Sequence, residues 1–159
     1  MIDFEALLGA LVGKRVEFII VGGAAATAHG SARLTNDLDI VYARSPENIA
    51  RLVEALRNFQ PYPRGTPRDL PFRFDEETVR AGLNFTLTTT AGDLDVLGEI
   101  TGGGGYKQLL SDTIAIRLFG LDCLCLGLDR LIEVKRAAGR RKDLEAVAEL
   151  EALRDEAKS

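Results

Sequence analysis

Two aspartates separated by a single residue are the strongest chemical signal in this 159-residue chain. Asp37 and Asp39 lie in an apolar run, and side chains at positions i and i+2 of a β-strand point to the same face. Gly22 and Gly23 end an earlier apolar run and are predicted to form a turn that can bind phosphate through its N–H groups. Carboxylate pairs are ligands that Mg²⁺ prefers. The spacing therefore predicts a divalent-metal and nucleotide site.

A third acid strengthens this prediction. Asp95 lies between Leu94 and Val96, and an unpaired charge in an apolar strand is costly unless a partner or a metal neutralises it. Asp93 follows Gly92 and is predicted to be a turn residue instead. Two acids at this spacing can also be solvated residues of an edge strand. The glycine turn and the third acid together favour the metal site.

Hydrophobic periodicity and turn signals predict alternating helices and strands that would position these acids. Helices are predicted over 3–12, 24–28, from Ser45-Pro46-Glu47 onward, over 75–81, over 106–110, from Leu128 to a break at Gly139, and over 143–154. Strands are predicted over 16–21, 37–42, 84–90 and 93–97, with a hairpin of 113–118 and 121–126. The proline-rich segment 60–71 is predicted to be a loop long enough to act as a flap.

Composition sets the protein class. Hydrophobic residues make up 46% and charged residues 28%, which is ordinary globular usage. A net charge of −4 argues against a protein that coats nucleic acid by bulk electrostatics. No apolar run approaches the roughly 18 residues of a membrane span, and no signal peptide is recognisable, so a cytoplasmic location is expected. Cys123 and Cys125 are predicted to be buried free thiols.

Three segments in this order resemble a known family. HGSARLTNDLDIV begins at His29, GDLDVLGE begins at Gly92, and DRLIEVKRAAGRRKDLEAVAEL begins at Asp129. With Gly22-Gly23 before them, they resemble the DNA polymerase β-type nucleotidyltransferase superfamily. They are most similar to its small prokaryotic members, which are related to abortive-infection and toxin–antitoxin nucleotidyltransferases. The resemblance covers nearly the whole chain and is weakest over 1–14 and 60–83.

The resemblance implies an α+β nucleotidyltransferase fold, a mixed sheet flanked by helices with a C-terminal helical pair. It implies one domain over 1–159, with a core at about 14–126 and a helical region at about 127–157. The cofactor would be Mg²⁺, or alternatively Mn²⁺, and the substrate a nucleoside triphosphate. The residues that would bind the metal and act in catalysis are Asp37, Asp39 and Asp95. The residues that would bind the nucleotide are Gly22, Gly23, Arg33, Thr35, Lys135 and Asp143.

The chain departs from the family at one position. Many members have serine as the second residue of the glycine motif, where Gly23 offers only its backbone N–H. Ser31, Thr27 and Thr35 are the candidates for a substitute hydroxyl. Arg33 is a candidate phosphate or acceptor ligand, and equally a solvated arginine.

Other polar segments have a functional and a structural interpretation. His29 is a candidate base or phosphate contact, but a lone histidine is more often structural. Lys135-Arg136 and residues 140–142 are either a basic patch for an RNA acceptor or charged helix ends. The glycine run 102–105 lacks the ending of a P-loop and is predicted to be a mobile connection.

The leading functional hypothesis is Mg²⁺-dependent transfer of a nucleoside monophosphate to a hydroxyl of a tRNA, a protein or a small molecule, in a toxin–antitoxin or phage-defence setting. The alternative is a weakly catalytic or non-catalytic nucleotide-binding partner in a toxin–antitoxin pair. An antibiotic-modifying transferase is less favoured because the chain offers no obvious extra domain for a drug. The sequence leaves the oligomeric state open, although the hairpin at 123–126 could pair at an edge.

Overall fold

One mixed β-sheet organises residues 2–158, the part of the chain that the computed structural model describes. Its strands are β1 (Phe18–Val21), β2 (Asp37–Tyr42), β3 (Tyr62–Pro63), β4 (Phe85–Thr89), β5 (Gly92–Leu97), β6 (Thr113–Leu118) and β7 (Leu121–Leu126). Their order across the sheet is β3-β4-β5-β2-β1-β7-β6. The β2–β5 and β1–β7 pairs are parallel, and the other neighbours are antiparallel.

Helices surround this sheet. They are α1 (Phe4–Gly13), α2 (Gly22–Ala28), α3 (Pro46–Leu56), α4 (Glu76–Ala81), α5 (Tyr106–Leu109), α6 (Leu128–Ala138) and α7 (Arg141–Lys158). Short 3₁₀ turns, Arg57–Phe59 and Leu110–Asp112, follow α3 and α5. The predicted α+β class and the predicted C-terminal helical pair are confirmed. Among residues 2–158, no helix is both long and apolar enough to cross a membrane.

The structure corrects four details of the sequence prediction. Gly22 and Gly23 are the first residues of α2 rather than a separate turn, because the chain enters the helix directly from β1. The loop predicted over 60–71 contains the two-residue strand β3. Asp93 belongs to β5 and not to a turn. The last helix, α7, is longer than the predicted 143–154.

The hydrophobic core lies between the sheet and the helices. Strand β1 is buried along its whole length, as expected for a central strand with both faces covered. Helix α1 buries Leu7, Leu8 and Leu11, which lie on one face at helical spacing. Cys123 and Cys125 are buried and unpaired, which confirms that prediction. The single-domain boundaries stay a prediction, and Met1 and Ser159 lie outside the described residues.

Helix α3 is fixed to the sheet by one buried amide. Ser45 caps the helix by accepting a hydrogen bond from the N–H of Asn48, as its position before Pro46 predicted. The Asn48 side chain accepts from the N–H of Glu17 at 2.7 Å and donates to the carbonyls of Glu17 and Ala43. Asn48 is only 1% exposed, so its amide bonds to backbone groups where water has little access.

Candidate active site

Strand register brings the acidic residues together. Strands β2 and β5 are parallel neighbours, and their pairing sets Asp37 opposite Asp93 and Asp39 opposite Asp95. Strand β1 runs along the other side of β2, with Val21 opposite Asp39. Because side chains alternate along a strand, all four carboxylates share one face of the sheet. The end of β1, where α2 begins, therefore lies directly beside the acids.

Asp37, Asp39 and Asp95 form a cluster suited to a divalent cation. One carboxylate oxygen from each lies within 4.8 Å of the others. The Oδ1 atom of Asp39 is buried and has no hydrogen-bond partner among the described residues. Burial and, after it, the negative charges of Asp37 and Asp95 together raise the pKa of Asp39 to about 8. An oxygen-rich site with an unpartnered buried oxygen fits the ligand preference of Mg²⁺.

Gly22 allows Asp39 to occupy this position. The backbone of Gly22 is left-handed, with φ at +65°, a conformation that L side chains rarely adopt. A Cβ atom at residue 22 would lie 2.1 Å from Oδ2 of Asp39. Both the backbone conformation and the close approach therefore require glycine. The glycine that the sequence assigned to phosphate binding is also the residue that makes room for the carboxylate.

Thr35 is the best placed of the three candidate hydroxyls. A Cβ atom at Gly23 would lie 2.8 Å from Oγ1 of Thr35, so this hydroxyl lies directly beside Gly23. Thr35 Oγ1 donates to the carbonyl of Asp37 at 3.1 Å. The hydroxyl of Thr27 instead donates to the carbonyl of Gly23, and that of Ser31 to Oε1 of Glu149. Only Thr35 places its hydroxyl next to both the glycine pair and an acid of the cluster.

Helix α7 holds the segment between α2 and β2 through Glu149. The Glu149 carboxylate accepts from the Ser31 hydroxyl at 2.6 Å and from the N–H of Ala32 at 3.2 Å. Its Oε1 also lies 3.8 Å from Nε of Arg33. The Arg33 side chain is about half exposed, at 48%, and lines the cleft beside the acids. The Arg33 side chain is thus accessible to a ligand, as its interpretation as a phosphate or acceptor ligand requires.

Lys135 and Asp143 lie on the opposite wall, where α6 and α7 meet. Lys135 is half-buried near Asp39 and Asp143; burial lowers the pKa of Lys135, and the two carboxylates partly counteract that effect. Asp143 is buried and accepts hydrogen bonds from Nε and the backbone N–H of Arg140. Burial raises the pKa of Asp143, but Arg140 and then Lys135 outweigh it and hold this pKa below its usual range. Asp143 therefore caps α7 and supports the cleft wall.

A continuous cleft passes over Asp37 and Asp39. It consists of an apolar half of about 380 Å³ and a polar half of about 430 Å³, a size typical of small-molecule sites. The two halves share Gly22, Asp39, Lys135, Arg140 and Asp143. The apolar half is lined by Leu97, Ile100, Leu131 and Val134. The polar half is lined by Arg33, Thr35, Asp37 and Lys142.

Several sequence candidates lie elsewhere or are engaged in structural contacts. His29 Nε2 lies 2.8 Å from the carbonyl of Leu126, which links the end of α2 to β7, so the structural interpretation of His29 is favoured. Arg136 pairs with Glu151, and Arg141 lies near Glu145. The glycine run 102–105 packs against α6, since a Cβ at Gly102 would lie 2.3 Å from that of Ala137. None of these contacts involves the acidic cluster.

One arginine at the cluster was not expected from the sequence. Arg64 follows β3 immediately, and its Nη2 donates to Oδ1 of Asp95 at 2.7 Å. Its Nε also lies 3.3 Å from Oδ2 of Asp93. The sequence contained a weak signal, an arginine among the prolines of 60–71, but nothing in it paired Arg64 with an acid 31 positions later.

Solved structures show what this arrangement is similar to. No family model matches the chain, and no curated protein matches it in sequence. The lincomycin-bound lincosamide antibiotic adenylyltransferase LnuA aligns with a TM-score of 0.62 at 12% identity, over 96% of this chain and 98% of that one. The chain therefore has a nucleotidyltransferase fold. At this identity the likeness establishes the fold and not the activity.

Two further structures have the same fold. An antigenic nucleotidyltransferase-like protein from Paracoccidioides brasiliensis aligns with a TM-score of 0.57 at 15% identity, over 94% of this chain and 77% of that one. TM1012 from Thermotoga maritima, provisionally named a nucleotidyltransferase, aligns with a TM-score of 0.55 at 14% identity, over 99% and 96%. The fold expected from the sequence resemblance is thus confirmed.

Proposed function

We propose that this chain transfers a nucleoside monophosphate from a nucleoside triphosphate to an acceptor hydroxyl, in a reaction that depends on Mg²⁺ or Mn²⁺. The observation that carries the proposal is the convergence of Asp37, Asp39 and Asp95 in one cluster, whose Asp37 and Asp39 line a nucleotide-sized cleft beside Gly22. Arg64 pairs with Asp95 on one side of this cluster, and the charge of Lys135 acts on Asp39 from the other.

The two halves of the cleft suit the two parts of a nucleotide. A cation held by the three aspartates would offset the charge of the triphosphate and of the departing pyrophosphate. The N–H groups at the start of α2, the Thr35 hydroxyl and Lys135 are positioned to bind phosphate oxygens. Leu97, Leu131 and Val134 form an apolar wall on which a base can pack. We assign the orienting of the acceptor hydroxyl to Asp95, the acid of the cluster that lies on β5.

The acceptor class is open to a small molecule as well as to a macromolecule. A drug-modifying enzyme can have this fold without an extra domain, because LnuA aligns over 98% of its length with 96% of this chain. We therefore include a small-molecule hydroxyl beside a tRNA end and a protein side chain as acceptors. The toxin–antitoxin or phage-defence setting, a partner protein and the cytoplasmic location are proposals that rest on the sequence resemblance alone.

A label-transfer experiment tests the reaction. The protein is incubated with α-phosphate-labelled nucleoside triphosphates, Mg²⁺, and separately with total tRNA, cell lysate protein and a panel of hydroxylated small molecules. We expect label on one acceptor class, and none when Asp37→Asn replaces the wild-type protein. Absence of transfer to every acceptor, together with absence of nucleotide binding, would refute the proposed enzymatic activity. Nucleotide binding without transfer would favour the non-catalytic partner.

A further inference from the structure

Arg64 lies at the edge of the acidic cluster on a segment that the proposed reaction does not use. Its Nη2 donates both to Oδ1 of Asp95 at 2.7 Å and to the carbonyl of Leu87 at 2.8 Å. Its backbone N–H donates to the carbonyl of Thr86 at 2.9 Å. The guanidinium is therefore held partly by the Leu87 carbonyl of β4. A metal ion bound by the acidic cluster would not displace this hydrogen bond.

The segment that carries Arg64 is itself tied to the sheet. Strand β3 pairs with β4, with Tyr62 opposite Thr88 and Pro63 opposite Leu87. The buried Tyr62 hydroxyl donates to the carbonyl of Leu70 at 2.7 Å and also contacts the carbonyl of Pro67. These bonds close the proline-rich segment 60–71 into a compact loop. Arg64 thus reaches Asp95 from a fixed backbone.

Arg64 donates to only one oxygen of Asp95, and the other oxygen has no ion-pair partner among residues 2–158. We propose that Arg64 is a positioning residue that acts through Asp95: its guanidinium holds Oδ1 and leaves Oδ2 as the one oxygen offered to the cation and the acceptor hydroxyl. This inference rests on the proposed function for its catalytic consequence. Its consequence for metal binding stands independently.

Arg64 has two separable effects on Asp95, one of geometry and one of charge. The Nη2 group of the guanidinium fixes the orientation of Asp95 by donating to Asp95 and Leu87 together, from a rigid planar group that a flexible lysine ammonium does not reproduce. The positive charge beside a ligand oxygen also opposes a divalent cation, whatever its geometry. Arg64→Lys keeps the charge and removes the planar Nη2 donor, whereas Arg64→Gln removes the charge and keeps a donor for Leu87.

Titration of the nucleotide-free protein with Mn²⁺, followed by electron paramagnetic resonance of the free ion, tests the charge effect. We expect Arg64→Gln to bind Mn²⁺ about five- to tenfold more tightly than the wild type, and Arg64→Lys to bind within about twofold of it. The matched control is Arg68→Lys, four residues on, whose guanidinium lies 4.7 Å from the Tyr62 ring. It should leave Mn²⁺ binding unchanged. Equal or weaker Mn²⁺ binding by Arg64→Gln would overturn the inference, because a merely structural arginine gives that result.

Steady-state transfer tests the orientation effect. We expect Arg64→Lys to lower kcat by tenfold or more while KM for the triphosphate stays within about twofold, with an unchanged melting temperature. A wild-type kcat in Arg64→Lys would overturn the inference. If the wild-type protein transfers no nucleotide to any acceptor, the proposed function fails, and the Mn²⁺ titration still decides whether Arg64 opposes the cation through Asp95.

Discussion

Replacing Asp39 with asparagine should make the metal-free protein more stable at neutral and alkaline pH. Burial and two neighbouring carboxylates raise the pKa of Asp39 to about 8, whereas an aspartate in an unfolded chain has a pKa of about 3.9. The folded protein therefore binds this proton more tightly than the unfolded chain does. The resulting stabilisation is fully present below about pH 4 and is lost as the pH rises through about 8.

The size of the effect follows from that difference in pKa. A shift of about four pH units corresponds to at most roughly 5–6 kcal/mol, shared among coupled acids. Asparagine removes the charge but leaves amide atoms that lack partners, at a cost of about 1–3 kcal/mol. At pH 8 the net gain from Asp39→Asn should be about 3 kcal/mol. The gain should shrink toward pH 5, where wild-type Asp39 is protonated.

Urea denaturation between pH 5 and 9, with and without Mg²⁺, tests this prediction. A Mg²⁺ concentration of about 10 mM suffices for a site of millimolar affinity. Wild-type stability should fall with rising pH and recover with Mg²⁺, and Asp39→Asn should respond to neither. The matched control is Asp122→Asn, an exposed carboxylate paired with Arg117 on the hairpin, which should shift stability by less than about 1 kcal/mol. If Asp39→Asn is less stable than the wild type at pH 8, the reasoning about the cluster is wrong.

Three other changes separate the site from the scaffold. Gly22→Ala should lower the free energy of unfolding by about 2–3 kcal/mol, because of the left-handed backbone and a displaced Asp39, and should abolish Mn²⁺ binding. The control Gly9→Ala, where a Cβ atom meets nothing within 4 Å, should leave the stability measured by denaturation unchanged or increased. Asn48→Ala should cost about 2–4 kcal/mol in unfolding free energy but leave the Mn²⁺ affinity of the folded protein intact; a loss of affinity would link α3 to the site. Glu149→Gln should loosen the Ser31 segment, raising KM for the triphosphate more than it lowers kcat; unchanged kinetics would contradict this role.

The sequence predicted the acidic cluster because its signal is local. Asp37 and Asp39 share a face through strand periodicity alone, and Asp95 stood out as an acid between apolar neighbours. Strand alternation does not reveal which strands pair, so only the structure shows that β5 lies beside β2 in the register that sets Asp39 opposite Asp95. The family resemblance implied that convergence without explaining it.

What the sequence missed depends on contacts between distant segments. Arg64 reaches Asp95 through a two-residue strand too short to give a periodic pattern. Gly22 was expected to serve a phosphate turn, whereas its close approach to Asp39 depends on the pairing of β1 with β2. The Thr35 hydroxyl, one of three candidates in the sequence, is distinguished by its position beside Gly23 and its hydrogen bond to Asp37. Composition and residue spacing do not encode such contacts between segments that are distant in the sequence.

The central claim is that the three aspartates bind a divalent cation together with a nucleoside triphosphate. Isothermal titration of the wild-type protein with ATP and GTP, in Mg²⁺ and in EDTA, measures it most directly, with Asp37→Asn as the comparison. We predict binding of at least one triphosphate in Mg²⁺, a loss of at least tenfold in affinity in EDTA, and the same loss in Asp37→Asn with Mg²⁺ present. Binding of equal affinity in EDTA, or in Asp37→Asn, would contradict the claim.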